Sequence, residues 1–256
     1  MDLGLTNKIA LVTAASRGLG KAVACELAQE GCRLAICSRN QEAIRRAAEE
    51  IRQRTGAEVL ALSADVTDAT QVQQLVDETI QRFGGIDLLF ANAGGPPTGQ
   101  FAQLNDQQWL DAVNLNLLSV VRLCRAVLPT MQAKKWGRIL IDTSFTVKQP
   151  LENLILSNSI RAGVTGLAKT LSNEVAKDNI TVNCICPGYT LTERMEAVVQ
   201  DRAQRSNLSR DEAAKAITSA IPLGRFGTVE EFAAPAVFLM SERASYITGV
   251  SLTVDG

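Results

Sequence analysis

Chemistry is first legible in this chain at a short polar turn between an apolar strand and a helix. Ile9 to Val12 is an apolar run, Thr13 to Arg17 is small and polar, and Gly18 and Gly20 open an apolar-periodic helix through Val23, Leu27 and Ala28. A dinucleotide pyrophosphate requires this arrangement. The glycines let backbone approach the phosphates, and unpaired N–H groups at the helix N-terminus face their charge. Taken alone the pattern is degenerate and also fits a plain strand-turn-helix. Ser38-Arg39-Asn40 follows the second apolar run, where a dinucleotide fold faces the adenosine ribose. An acid there would bind the 2′-hydroxyl. Arg39, with Arg17 in the glycine turn and Ser38 beside it, favours a 2′-phosphate and hence NADP(H) over NAD(H); alternatively Arg39 only caps a solvated helix start. There is no histidine, which excludes Ser-His-Asp chemistry and His-ligated metal, and no metal site is expected.

Strand and helix signals alternate through the whole chain. Strands are predicted at 9–12, 33–37, 58–62, 86–90, 138–142, 180–186 and 250–254. Helices are predicted from 18, at 41–54, 70–83, 105–133 and 151–177, over 193–220 with an interruption near Asn207, and at 229–240. Gly84-Gly85 closes one helix as C-cap glycines do, and Asn105 or Asp106 opens another. Regular βα alternation implies parallel strands, right-handed crossovers and helices on both faces, in one doubly wound α/β domain over residues 1–256. Ligands then sit at the carboxyl ends of the strands, so the loops that matter begin at Thr13, Ser38, Ser63, Ala91, Thr143 and Pro187.

Composition agrees. The chain has 256 residues, with 26 Lys and Arg against 27 Asp and Glu, and no basic tract to mark a nucleic-acid or membrane surface. The first seven residues carry neither the basic nor the apolar region of a signal peptide, and no apolar run is expected to reach bilayer-spanning length. The six cysteines lie inside apolar segments without zinc-like spacing; they are expected to be reduced core residues of a cytoplasmic protein, with Cys184 and Cys186 on one face of a strand.

Thr13-Ala14-Ala15-Ser16-Arg17-Gly18-Leu19-Gly20 resembles the T-G-x-x-x-G-x-G fingerprint of the short-chain dehydrogenase/reductase family, with Ala14 at the first glycine. An alanine there fits if its φ is negative and its methyl stays clear of the phosphate. Ala91-Asn92-Ala93-Gly94 resembles the family's N-N-A-G, and Pro187-Gly188-Tyr189-Thr190 its P-G loop with the following threonine. Arg225-Phe226-Gly227, Ser245 to Gly249 and Val254-Asp255-Gly256 match its C-terminal pattern. The resemblance covers essentially the whole chain and implies a Rossmann-type fold. It also implies a cofactor site built from Thr13, Ala15, Ser16, Arg17, Gly18, Leu19, Gly20, Ser38, Arg39, Asn92, Ala93, Gly94, Pro187, Gly188 and Thr190. Asp65 and Val66 would contact the adenine; the other reading of Asp65 is a helix N-terminal acid favoured by the dipole.

Carbonyl reduction needs a hydride from a nicotinamide and a proton on the oxygen. Family members use an Asn to hold a water relay, a Ser to polarise the carbonyl, a Tyr to give the proton, and a Lys four residues later. That Lys lowers the Tyr pKa, ordinarily about 10, and binds the ribose. By resemblance the Asn is Asn116, with Asn114 a decoy, and the Ser is Ser144. The family's spacing then lands on Ser157 and Arg161, in a register fixed by Ala162 to Leu167. The proton donor and the lysine are therefore both replaced. Serine is a poor acid near neutral pH. Arg161 is a fixed cation able to bind ribose hydroxyls or an oxyanion, and unable to relay a proton as a lysine would. Lys148, four residues past Ser144, is a substitute acid or a solvated loop lysine. Of the two tyrosines, Tyr189 is the weaker substitute and Tyr246 belongs to the C-terminal pattern.

The resemblance is closest to the 3-oxoacyl-acyl-carrier-protein reductases and implies a small-molecule carbonyl, alcohol or acyl-thioester substrate. Residues 190–220 form a charged lid or a solvated helical face, with Arg194, Arg202 and Arg205 the first candidates to meet an anionic substrate. The two long helices imply a homotetramer, with a dimer as the fallback. The paired replacement leaves two readings open: an NADP(H)-dependent oxidoreductase with a non-standard site, or a catalytically silent nucleotide-binding or regulatory protein.

Overall fold

Strands with no polar face need helices on both sides. In the computed structural model, which describes residues 1–256, seven strands form one parallel sheet. They are β1 (Ile9–Val12), β2 (Arg33–Ser38), β3 (Val59–Ser63), β4 (Leu88–Ala91), β5 (Gly137–Asp142), β6 (Ile180–Pro187) and β7 (Ser251–Val254), in the order β3-β2-β1-β4-β5-β6-β7. The order reverses between β1 and β4, where Leu11 lies level with Leu89, and the crevice at that reversal is where such a sheet takes a ligand.

Helices α1 (Gly18–Gln29), α2 (Gln41–Thr55) and α9 (Val229–Met240) cover one face. The first core layer joins Val23, Leu27, Ile44, Ile51, Phe232 and Val237 to Val12, Ile36 and Phe90. Helix α3 (Ala69–Phe83), α5 (Ser119–Lys134) and α6 (Ile155–Val175) cover the other, where Val76, Val127 and Val164 meet Leu11, Leu89 and Ile141. Local chemistry sets the ends. Asn40 caps α2 through the Ala43 N–H at 2.9 Å, and Asp68 caps α3 through the Thr70 N–H at 2.8 Å. Gly56 and Gly84 close these helices at φ 72° and 86°, where glycine carries no steric cost. All six cysteines are buried and unpaired.

Four sequence-based expectations need adjusting. Strand β4 starts at Leu88, two residues later than expected; Asp87 before it still donates its N–H to Ile9 O at 2.9 Å and accepts the Arg138 N–H at 3.0 Å, while its Oδ1 meets Lys134 Nζ at 2.7 Å. Helix α6 begins at Ile155 rather than 151, since Asn153 at φ 60° breaks the run and Leu154 bridges to Gly99. The long helix over 105–133 is not uniform: α4 (Asp106–Val113) and α5 are joined by a π turn over Asn114–Leu118. This continuous stretch, Asp106–Lys134, also overturns the expectation that no apolar segment reaches spanning length, because its 29 residues satisfy that test by length and composition. Here it is a core helix, with Val120, Leu123, Val127 and Met131 packed on the sheet. Residues 190–220 resolve into α7 (Glu193–Ser206) and α8 (Arg210–Thr218), broken at Asn207 with φ 51° as expected.

Candidate active site

The glycine turn is pinned to its neighbours from both sides. Thr13 is fully buried; its Oγ1 donates to the Asn92 carbonyl at 2.7 Å and accepts the Asn92 N–H at 2.9 Å, joining the ends of β1 and β4. The Ala15 N–H donates to Cys37 O at 3.0 Å, which joins the turn to β2. Ala14 has φ 49°, in the left-handed region. This corrects the condition of a negative φ, and the residue carries the steric cost that a glycine would not. Gly20 is required by proximity, since a Cβ there would lie 2.5 Å from Ala14 O. Arg17 occupies the N-cap of α1 and offers no side-chain cap. The first N–H groups of α1 are thus open to an anion, and Ser16, Gly18 and Leu19 sit at that opening. This cradle fits a dinucleotide pyrophosphate.

Arg39 is exposed and has no ion pair, and Asn40 rather than Arg39 caps α2, so the capping alternative fails. Ser38 Oγ donates to Asn40 O at 3.1 Å within the same loop. Asp65 Oδ1 accepts from the Thr67 N–H at 2.9 Å and hydroxyl at 2.7 Å, and the cap of α3 is Asp68; Asp65 is therefore not the helix's N-terminal acid. Val66 is buried beside it. On the opposite wall, Gly188 packs so closely on the C-terminus that a Cβ would lie 2.6 Å from Asp255 Cα. Thr190 is buried and bridges to Gly227, while Pro187 ends β6.

Asn116 and Arg161 come from different helices and close on the ends of β4 and β5. Asn116 lies inside the π turn. Its Nδ2 donates to Gly94 O at 2.9 Å, past Ala93, and its Oδ1 is buried with no partner. Asn114 instead accepts from Arg122 at 2.6 Å, on another side of the helix. Ser144 follows β5; its Oγ accepts from the Thr146 N–H at 3.2 Å and hydroxyl at 3.0 Å, which leaves its own proton free to donate. The Ser157 hydroxyl makes no hydrogen bond inside the protein, and the residue lies one turn before Arg161 on α6, so the two share a face.

Arg161 is buried, 7% exposed. Its Nη1 donates to Asp142 O at 3.2 Å and to Thr143 O, and stands 3.8 Å from Asp142 Oδ2. Its Nε and Nη2 make no hydrogen bond in the protein. Asp142 was not among the residues singled out from the sequence. Burial pushes its carboxyl up to about 7, with Arg161 pulling the other way, and its Oδ1 has no partner. Burial likewise lowers the Arg161 pKa. The available signal was an acid ending the apolar run Ile139 to Ile141, two residues before Ser144.

The substitute acids are placed apart. Tyr189 packs its ring on Phe145 at 5.4 Å between centroids, and Tyr246 is fully exposed on the surface. Lys148 caps the short helical turn after Ser144, near Cys186, whose thiol pKa burial raises against the smaller downward pull of the Lys148 charge. Among the three arginines expected to meet an anionic substrate, Arg205 is spent on Asp201 at 3.0 Å. Arg202 has no ion pair, and Arg194 lays its guanidinium in the space left by Gly95, where a Cβ would lie 2.9 Å from Nη1.

Residues 13–256 match the family model described as enoyl-(acyl carrier protein) reductase. A putative ketoacyl reductase of the granaticin polyketide synthase from Streptomyces violaceoruber is 36% identical, over 97% of this chain and 92% of that protein. The 3-oxoacyl-[acyl-carrier-protein] reductase of Salmonella typhimurium is 35% identical, over 99% of this chain and 98% of its own length. Among solved structures, L-sorbose reductase from Gluconobacter frateurii, complexed with NADPH and L-sorbose, superposes at a TM-score of 0.97 with 33% identity, over 100% of this chain and 98% of that one. The actinorhodin polyketide ketoreductase with NADPH superposes at 0.93 with 34% identity, over 98% and 96% of the two chains. With a reversing parallel sheet, a glycine cradle at the switch point and relatives matched along their full lengths, the chain belongs to the short-chain dehydrogenase/reductase family, among its 3-oxoacyl-acyl-carrier-protein reductase-like, NAD(P)-dependent members.

Proposed function

We propose that this protein is an NADP(H)-dependent oxidoreductase that interconverts a carbonyl and an alcohol through an active site in which Ser157 and Arg161 stand where relatives carry Tyr and Lys. The observation that carries the reading is the convergence of Ser144, with a free hydroxyl proton, and Arg161, with Nε and Nη2 unspent, beside an intact nucleotide cradle. NADPH, when bound, supplies the hydride. Thr13 to Gly20 hold its pyrophosphate, Ser38, Arg17 and Arg39 its 2′-phosphate, Asp65 and Val66 its adenine, and Asn92 to Gly94 with Pro187, Gly188 and Thr190 its nicotinamide half. Arg161 binds the ribose or the developing oxyanion. Ser144 donates its hydroxyl proton in a hydrogen bond to the carbonyl oxygen and so polarises it. A water held by Asn116, Ser144 and Ser157 gives the proton the oxygen gains, and the hydroxide left behind recovers a proton from bulk solvent.

Titration with NADPH and NADH, followed by nicotinamide fluorescence, tests the cofactor assignment. Micromolar NADPH affinity, weaker NADH binding and loss of that preference in Arg39→Ala are expected; equal affinities would refute it. A panel of β-ketoacyl thioesters, diketones and ketoses then tests turnover, which should collapse in Ser144→Ala. The second reading, a silent nucleotide-binding or regulatory protein, is favoured by Arg161 spending Nη1 on two backbone carbonyls. Absence of turnover in the wild type, with activity gained in a Ser157→Tyr, Arg161→Lys double variant, would select it.

The same reading includes a homotetramer. Phe101, Leu110 and Leu118 are exposed beside α4 and α5, and Val250 and Leu252 are exposed at the β7 edge, as two sets of contacts require. Light scattering at a monomer mass would remove this part. The six unpaired cysteines fit a reducing compartment, and the cytoplasm is the proposed location; fractionation of cells that express it is the check.

A further inference from the structure

Arg161 is not buried alone. The carboxylate of Asp142 stands against it at 3.8 Å with 6% of its side chain exposed, and Asp142 Oδ1 is enclosed without any hydrogen bond. A buried carboxylate left half-satisfied costs folding free energy, so its placement directly beneath the candidate site calls for a role. We propose that Asp142 is a positioning residue: its backbone carbonyl helps hold the Arg161 guanidinium at the end of β5, and the ionisation of its carboxyl, 3.8 Å from Arg161 Nη1, decides whether the site presents a net positive charge to the reacting oxygen. This rests on the reductase reading above.

The geometry isolates Asp142 as the group that changes charge. Arg161 faces it from α6. From β6 come Cys184 and Cys186, whose own titrations feel the Asp142 charge. Burial raises both thiols, Cys184 to about 12, and Cys124 on α5 behind it also reaches about 12. All three therefore stay neutral across the physiological range. The Lys148 charge faces Cys186, and the Arg194 charge faces Arg161 from α7. Burial places the Asp142 midpoint at about 7.

On the acid side Asp142 is neutral, and the Arg161 charge is available to an oxyanion. On the alkaline side the pair is internally compensated. Carbonyl reduction, in which negative charge develops on oxygen before the proton arrives, is then favoured below the midpoint. A drop in kcat/KM of about tenfold or more is expected as the pH rises through it.

The decisive measurement follows the carboxyl carbons of the intact protein by NMR, with ¹³C-labelled aspartate, as pH is varied. One resonance should titrate near neutrality. It should vanish in Asp142→Asn and move to higher pH in Arg161→Met, where the cation's downward pull is gone. If Asp142→Asn does not fold, the wild type and Arg161→Met still decide. Aspartates that all titrate below about 5 would overturn the proposal, as would a neutral-range resonance unmoved in Arg161→Met. In parallel, the fall of kcat/KM between pH 6 and 8 should flatten in Asp142→Asn; an unchanged profile counts against the proposal. Turnover with no neutral-range carboxyl refutes the pair and leaves the reductase reading. A neutral-range carboxyl without turnover at any pH refutes the reductase reading and leaves the pair.

Discussion

Replacing Asp142 with asparagine should stabilise the protein, and by an amount that depends on pH. The carboxyl titrates near 3.8 in an open chain and at about 7 in the folded protein. Between those values the native state holds a proton that the unfolded chain has released. Stability therefore falls as pH rises through the window and levels off above it. About three pH units at about 1.4 kcal/mol each give a ceiling of about 4 kcal/mol. Asparagine mimics the protonated carboxyl and cannot ionise. The variant should lie within about 1 kcal/mol of the wild type near pH 4.5 and exceed it at pH 8 by up to that ceiling, or roughly 10 °C in Tm for a chain of this size. Urea unfolding of both proteins between pH 4.5 and 8.5 is the assay. Carboxylates held low by their partners, among them Asp178 and Glu231, lose their contribution only at lower pH and do so equally in both proteins, so the difference isolates Asp142. A wild-type stability that is flat from pH 4.5 to 7.5, or a variant less stable at pH 8, would refute the reasoning.

Ala14→Gly should stabilise the chain by about 1 kcal/mol, because φ 49° is a position alanine occupies at a cost; denaturant midpoints decide, and a loss of stability would contradict it. Gly20→Ala drives a methyl to 2.5 Å from the Ala14 carbonyl and 2.8 Å from Asn92 Nδ2. A destabilisation of about 2 kcal/mol or more is expected, together with loss of NADPH binding in a fluorescence titration, and wild-type affinity would refute it. Thr13→Val removes both hydrogen bonds to Asn92 and leaves partly buried backbone groups unpaired, at about 2–3 kcal/mol. Faster amide exchange at Asn92 should report it.

The alternation of apolar strands with 3.6-period helices carried the topology, since strands such as Leu88 to Ala91 can only be buried on both faces. Ser144, Asn116 and Arg161 were placed by motif register, and the structure brings Asn116 and Arg161 to the loops after β4 and β5. Asp142 was missed for a physical reason. Its meaning comes from Arg161, nineteen residues away, and no local period links the end of a strand to the middle of a helix. The left-handed φ of Ala14 is not legible in the sequence, because the turn is set by its anchors, Thr13 to β4 and Ala15 to β2. Those anchors override the preference of the residue between them. The π turn was invisible for a similar reason: five residues, Asn114–Leu118, leave the apolar pattern intact while changing the winding.

That winding has a consequence for the phase of the whole segment. A π turn is in effect one residue inserted into an α-helix, and each residue advances an α-helix by about 100°. Deleting a single residue within 114–118 would restore regular α geometry, and α4 would turn about its axis by that angle relative to α5. Trp109 and Ala112, now packed toward Leu156 and Ile160 of α6, would swing away from them. Asn116 would lose its line to Gly94. The extra residue works as a spacer in angle rather than in length. It lets one continuous rod present two differently oriented faces, one to the sheet and one to the helix that carries Ser157 and Arg161.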